Sequence, residues 1–261
     1  MQETRTNLRA RETILQKLPA EVVAANDVYE FRAVTVVAGN EAVEFGYRLL
    51  TPRAIEPGRK YPLVLFLHGA GERGSDNILQ LKYLPAWLAA PAVRERHPCF
   101  VLAPQCRMDE RWVDVSWADK TSMPQAAEPT TDLQAAAAMI DDVMKTASVD
   151  PARVYLTGLS MGGYGTWDLA TRMPERFAAV LPICGGGDER MAARIAKLPI
   201  WAAHGDADKA VPVERSRSMV AAVKAAGGSP KYTEMAGVGH DAWTPTYRDA
   251  AVLDWLFSQS K

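Results

Sequence analysis

The stretch from Val154 to Ala170 constrains this chain more than any other. It opens with a short apolar run, Val154 to Leu156, breaks into Gly158-Leu159-Ser160-Met161-Gly162, and then takes up helical spacing through Trp167 and Leu169. That order predicts a strand, a sharp turn and a helix, with Ser160 at the apex. A residue at such an apex sits in a strained backbone conformation, and the chain on either side passes close by. Gly158 and Gly162, two before and two after the serine, lack the Cβ that would clash. Ser160 Oγ would then stand clear at the C-terminal edge of a sheet. The Met161 amide would face the same space from the N-terminus of a helix, where negative charge is favoured. Gly-x-Ser-x-Gly alone is a weak pattern, because glycine-rich turns holding a serine are common. Its meaning depends on whether an acid and a histidine follow.

The rest of the chain supplies the frame. Phe31 to Val37 and Val43 to Leu50, separated by Gly39-Asn40, read as an antiparallel hairpin. Tyr61 to Leu67 is a continuous apolar run, as a strand buried on both faces should be. It leads into His68-Gly69-Ala70-Gly71-Glu72-Arg73-Gly74, which is either a tight strand-to-helix turn or a loop presenting free amides. A helix is expected around Ile78 to Ala89 despite Pro85, a strand over Phe100 to Ala103, and a helix over Thr131 to Ala147. After the serine turn come strands at Phe177 to Cys184, Leu198 to Ala203 and Lys231 to Met235. Helices fall at Asp188 to Ala196, Val213 to Ala226 and Tyr247 to Phe257. A hairpin followed by alternating strand and helix implies an α/β fold, with a mostly parallel sheet of about eight strands and helices on both faces. Neither a repeat nor a linker divides residues 1–261, so one domain is expected. Residues 1–28 form an N-terminal helical appendage in this reading: a short amphipathic helix over 7–25, with Leu8, Ile14, Leu15 and Leu18 on one face, ended or kinked at Pro19.

Composition narrows the function by exclusion. The net charge of −1 offers no basic surface for nucleic acid. No apolar run approaches the roughly 20 residues of a membrane span. The polar, charged start has no leader-like core, which points to the cytoplasm, or to the periplasm or exterior if a leader has been removed. Three cysteines, Cys99, Cys106 and Cys184, make no disulfide framework; free buried thiols are expected over a Cys99–Cys106 bridge. Neither they nor the four scattered histidines have metal-site spacing, so neither metal nor cofactor is expected.

In a sheet of this kind ligands sit at the C-terminal strand ends. Four loops leaving such ends carry chemistry: His68 to Gly74, Ser160, Asp206 to Asp208, and His240. A serine hydroxyl is a poor nucleophile at neutral pH and needs a base, and the base needs a carboxylate to orient it. His240 is the candidate base, and Asp206 or Asp208 the candidate acid. Arg107 to Pro129 is a long irregular stretch holding Trp112 and Trp117. Those rings form either a wall of a substrate pocket suited to aromatic or sugar groups, or a cover for the core.

The order serine, acid, histidine resembles that of α/β-hydrolases. His204-Gly205-x-x-Asp208-x-x-Val211-Pro212 resembles the acid loop of their esterases, in which the aspartate three after the glycine is catalytic. The resemblance therefore implies Asp208 as the acid and leaves Asp206 to shape the loop. His68 to Gly74, the Ser160 turn, Cys106 after Pro104-Gln105, and Trp243 with the Tyr247 helix together resemble one branch. It is the phospholipase/carboxylesterase, dienelactone-hydrolase-like and polyhydroxybutyrate-depolymerase or feruloyl-esterase-like group, and the likeness runs from about Tyr61 to Phe257. True dienelactone hydrolases use a cysteine nucleophile, so Ser160 departs from them. The resemblance implies an oxyanion hole of the Met161 and Ala70 amides, with His68 bracing the loop and Glu72 and Arg73 pinning it. Trp243 joins Trp112 and Trp117 as a candidate substrate contact. The implied activity is a serine esterase acting on a small-molecule ester through an acyl-enzyme. A compact peptidase or thioesterase and a slow-turnover ligand receptor are the competing readings, and association into a homo-oligomer is left open.

Overall fold

The computed structural model describes residues 11–39 and 41–261. Eight strands form one sheet: β1 (Tyr29–Ala38), β2 (Glu41–Leu50), β3 (Tyr61–Leu67), β4 (Phe100–Pro104), β5 (Val149–Leu159), β6 (Ala179–Ile183), β7 (Trp201–Gly205) and β8 (Lys231–Met235), in the order β1-β2-β4-β3-β5-β6-β7-β8. The β1–β2 hairpin and the β2–β4 pair are antiparallel, and every other pairing is parallel. The predicted hairpin, strand count and parallel majority are all present. The hairpin turn has Gly39 at φ +62°, a left-handed value that glycine adopts freely; Asn40, the other half of the turn signal, lies outside the described residues.

The apolar strands are unbroken because both faces are covered. Leu63, Leu65 and Leu67 of β3 enter one core with α5 (Thr131–Thr146), α6 (Met161–Arg172) and α7 (Glu214–Ala225). Val64 and Phe66 of the same strand enter a second core with α2 (Ala20–Val28), α3 (Leu84–Ala89) and α9 (Ala250–Ser258). Side chains alternate across a strand, so a strand between two helical layers must be apolar at every position. None of the helices among the described residues is long and apolar enough to cross a membrane.

Three helix boundaries differ from the sequence reading, each for a local reason. The single helix expected over Ile78 to Ala89 is a 3₁₀ turn at Leu79–Leu81 and then α3, separated by Tyr83 at φ +62°. Pro85 falls in the first turn of α3, where its missing N–H costs nothing. The closing helix is two, α8 (Trp243–Arg248) and α9, because Asp249 leaves helical geometry and accepts the Ala251 amide at 2.8 Å. At the N-terminus, residues 11–15 form α1 and Pro19 precedes α2. Leu8, named for the amphipathic face, lies outside the described residues. Pro91–Arg96 adds α4, which the sequence reading did not contain.

Arg48 locks α2 to the sheet. It sits on β2, 3% exposed, and donates to the carbonyls of Asn26 at 2.5 Å, Tyr29 at 2.6 Å and Asn77 at 3.2 Å. Burial pulls its pKa down to about 10, so it stays charged at neutral pH. Replacing it by methionine keeps the apolar stem but leaves three carbonyls short of a charged donor. Arg48→Met should therefore cost about 2–4 kcal/mol of stability, read from denaturant unfolding; a loss below about 0.5 kcal/mol would mean that α2 is held by apolar contacts alone.

Candidate active site

Ser160 stands between β5 and α6 at φ 55° and ψ −119°, a strained conformation for a residue with a Cβ. Two things hold it there. Its amide donates to Ile183 O of β6 at 2.9 Å. The backbone around it is also too close for side chains: a Cβ on Gly162 would lie 1.9 Å from Leu67 O, and one on Gly158 would lie 2.4 Å from Gly162 O. The clash inferred from the sequence is thus real, and the partner strand is β3.

Around Ser160 the sheet edge assembles a hydrogen-bonded line. His240 Nε2 lies 2.9 Å from Ser160 Oγ, and His240 Nδ1 lies 2.7 Å from Asp208 Oδ2. A carboxylate beside Nδ1 fixes the proton there and leaves Nε2 to accept from the hydroxyl. The Asp208 side chain is fully buried, whereas the His240 side chain is 28% exposed. Asp208 Oδ1 accepts the amides of Ala210 at 2.8 Å and Val211 at 3.0 Å. Burial pushes the Asp208 carboxyl up, but its hydrogen bonds from His204, His240, Val211 and Ala210 outweigh that and hold it well below the usual carboxylate range. Asp206 is elsewhere: its Oδ1 accepts the Gly237 amide at 2.7 Å, tying the β7 loop to the β8 loop. Asp241 accepts the Thr244 amide and hydroxyl, both at 3.0 Å.

Beside the serine runs the loop that leaves β3. A Cβ on Gly69 would stand 3.7 Å from Ser160 Cβ, so the loop lies against the nucleophile. His68 braces it, fully buried. The Cys106 amide donates to His68 Nε2 at 2.9 Å, and Nδ1 therefore donates to Gly69 O at 2.7 Å. Trp112 Nε1 donates to His68 O at 3.0 Å. Arg73 Nε donates to Ala70 O at 3.0 Å, and Lys82 reaches buried Glu72 at 3.5 Å. Among the described residues, neither the Met161 nor the Ala70 amide is committed to an acceptor.

The three tryptophans part company. Trp112 is 1% exposed, with its ring edge-on to His68 at 5.2 Å, so it braces the β3 loop while also lining a cavity against α6. Trp117 is half-buried, with the guanidinium of Arg111 4.9 Å and that of Arg73 6.0 Å from its ring. Trp243 packs edge-on against His240, with centroids 5.1 Å apart. The long stretch around them is ordered by anchors. Arg107 Nη2 meets Asp132 at 2.7 Å, Thr130 Oγ1 donates to Trp112 O at 2.9 Å, and Arg172 donates to Ala126 O at 2.8 Å.

Two residues at the site escaped the sequence reading. His204 Nε2 lies 3.2 Å from Asp208 Oδ2 and 3.0 Å from Val211 O, while its Nδ1 lies 2.7 Å from Ser216 Oγ. The signal was its place four residues before the acid. Cys184, at φ 49°, donates its thiol to His240 O at 3.2 Å, and burial pushes that thiol up to about 12. No local pattern marks it. Donor atoms of Cys184, His204 and Asp208 lie within 4.8 Å of one another. A protonated thiol and a carboxylate already holding four hydrogen bonds do not fit a metal. All three cysteines are free and buried.

A model of the phospholipase/carboxylesterase family matches residues 53–252. The solved structure of a thermostable esterase shares 42% identity and a TM-score of 0.80 over 90% of this chain, which spans 64% of that one. Among curated proteins, a probable carboxylesterase of Oryza sativa subsp. japonica is 26% identical over 72% of this chain and 75% of its own length. A second rice protein, described as a probable inactive carboxylesterase, is also 26% identical, over 68% of this chain and 77% of its own length.

Burial lowers the His68 pKa to about 4. The unfolded chain, at about 6.5, binds the proton that the native ring refuses, so stability is full above pH 6.5 and falls as pH drops toward 4. In His68→Gln the slope of Tm against pH between 7 and 5 should be shallower than in wild type; equal slopes would show that His68 takes up its proton in the folded state.

Proposed function

The chain belongs to the phospholipase/carboxylesterase family, with its α/β-hydrolase fold, and on that premise we propose that it is a serine carboxylic-ester hydrolase. The carrying observation is the line from Ser160 Oγ through His240 to Asp208, at 2.9 and 2.7 Å. Ser160 attacks the ester carbonyl as its proton passes to His240 Nε2. Asp208 stays ionised, keeps the imidazole in the right tautomer and stabilises the imidazolium. The negative oxygen of the tetrahedral intermediate takes the uncommitted amides of Met161 and Ala70, and the N-terminus of α6 adds its dipole. His240 then gives its proton to the departing alcohol. Water, deprotonated by the same ring, hydrolyses the acyl-enzyme and restores Ser160. Each step uses side chains and amides of this chain.

The aromatic surroundings favour an aryl or sugar-linked ester of the feruloyl type as substrate. Trp243 lies against the base and Trp117 beside Arg73 of the loop that flanks Ser160, so both offer faces or edges to a flat group.

Ser160→Ala should keep the fold and lower turnover of p-nitrophenyl acetate and butyrate by about a thousandfold or more, and should abolish labelling by a fluorophosphonate. A mutant that still turns over would refute the assignment of Ser160, and a folded wild type that neither hydrolyses nor labels would refute the esterase reading. Trp117→Ala should reduce kcat/KM for methyl ferulate about five- to tenfold more than for p-nitrophenyl acetate. Equal losses on both would remove Trp117 from substrate binding.

A further inference from the structure

A cavity of about 70 Å³ opens between α6, the glycines after β6 and the segment formed by residues 112–130. A water's share of liquid volume is about 30 Å³, so it has room for a group the size of a carboxylate. The part of the wall that matters is Arg215, in the first turn of α7. This residue is 2% exposed. Its Nη2 donates to Gly187 O at 3.1 Å, while its Nε and Nη1 are buried and have no acceptor among the described residues. A guanidinium has five N–H groups, and three of the five here are unspent.

Among the described residues no carboxylate pairs with Arg215, and Asp114 and Glu128, which also line the cavity, are exposed to solvent. Asp168 pairs with Arg172 at 2.5 Å and also takes Gln125. Asp188 pairs with Arg190 at 2.6 Å and accepts the Gln125 amide at 2.7 Å. Asp208 spends its oxygens on His204, His240, Ala210 and Val211. What Arg215 does meet is Tyr164, whose ring lies 5.7 Å from its guanidinium carbon and whose hydroxyl it approaches; burial pushes that phenol up to about 12, so it brings no charge. A buried cation with no carboxylate to pair with is costly. Space has been kept for it, since a Cβ on Gly186 would lie 2.7 Å from Arg215 Nε.

We propose that this cavity is an anion subsite in which Arg215 binds a carboxylate borne by the ester substrate. The proposal rests on the esterase reading and adds the substrate class to it. The place fits. Tyr164, on the wall, follows Ser160 by one turn of α6, and its amide donates to Ser160 O at 3.1 Å. One turn is about 5.4 Å along the helix axis, so the cavity wall begins within a short tether of the serine. The apolar lining, including Val113, Met123 and Pro124, suits a hydrocarbon tether, and the unspent donors suit the planar charge at its end. The carboxylate can reach the cavity from either side of the scissile bond, as the far end of a dicarboxylic acyl group or as an acid on the alcohol.

Two pairs of esters separate these sources. p-Nitrophenyl hemiadipate against p-nitrophenyl hexanoate tests the acyl side, and 4-acetoxybenzoate against 4-acetoxybenzamide tests the alcohol side. Wild type should favour the charged member of one pair in kcat/KM by about ten- to a hundredfold, and Arg215→Met should bring that ratio near one. Wild type hydrolysing all four with no preference in either pair overturns the subsite, and needs no variant to fold. A preference that survives in folded Arg215→Met also overturns it. Ser160→Ala, which cannot turn over in the esterase reading, supplies a test apart from catalysis: adipate should raise its Tm and hexanoamide should not. If wild type hydrolyses none of the esters but adipate still stabilises Ser160→Ala, the esterase reading fails and the subsite stands; if adipate gives no shift, the subsite fails.

Discussion

The close approach of α6 to the end of β3 is the constraint on which the site depends. Gly162 meets Leu67 O at a distance that admits no side chain. That contact brings the N-terminus of α6, the apex serine and the loop leaving β3 into one small volume. Strain at Ser160 follows from it, because a helix pressed so tightly onto a strand end leaves the connecting residue only a left-handed turn. The Ser160 amide bond to Ile183 O and the parallel register of Leu67 with Gly158 and of Gly158 with Pro182 hold that turn. Strain of this kind persists only where its surroundings over-determine it, and here two neighbouring strands and a helix do so.

The electrostatic half of the site is built in the same layered manner. Asp208 lies at the centre of four donors, two from its own loop's amides and two from histidines, one in β7 and one in the loop after β8. The His204 contact is the one that the serine, histidine and aspartate of the proposed triad do not require. It ties the acid to β7 itself and, through Ser216, to α7 and Gly185 O. Cys184 does for His240 what His204 does for Asp208, fixing the backbone of the loop that carries the ring. An ion in a low-dielectric site is worth most when its geometry needs no adjustment as charge develops, and these outer bonds supply that rigidity.

What was legible in the sequence followed from period and position. Doubly buried strands are continuous apolar runs, so β3, β6 and the Val154 to Leu156 run of β5 could be read directly, whereas the start of β5 at residues 149–153, with Asp150 and Pro151, could not. The order of loops at strand ends brought out Ser160, Asp208 and His240, although only resemblance separated Asp208 from Asp206. Boundaries were less legible because they turn on single residues. Tyr83 breaks the helix expected over Ile78 to Ala89 by adopting φ +62°, and Asp249 splits the last helix by capping its second half. Trp112 could not be placed from its spacing, since a ring in a long irregular segment faces solvent or core according to anchors such as Arg107–Asp132 and Thr130 Oγ1–Trp112 O. Those anchors join residues 18 to 25 positions apart, beyond the reach of local pattern.

The same distinction separates the proposed chemistry from the proposed selectivity. The reacting groups hang from strand ends, where backbone hydrogen bonds of the sheet set their positions. The groups placed to select a substrate hang from the 112–130 segment, the first turn of α7 and the start of α8, where side-chain contacts set them. Arg215 belongs to the second kind. It is fixed to Gly187 O and rests on Tyr164, yet its Nε and Nη1 have no acceptor among the described residues, and a methionine would fill the same space without the cost of desolvating a charge. Its neighbour Ser216 is tied through His204 to Asp208. An anion drawn to Arg215 would therefore bear on α7 one residue from the positioning bonds of the acid, which couples recognition of the far end of a substrate to the geometry at its scissile bond.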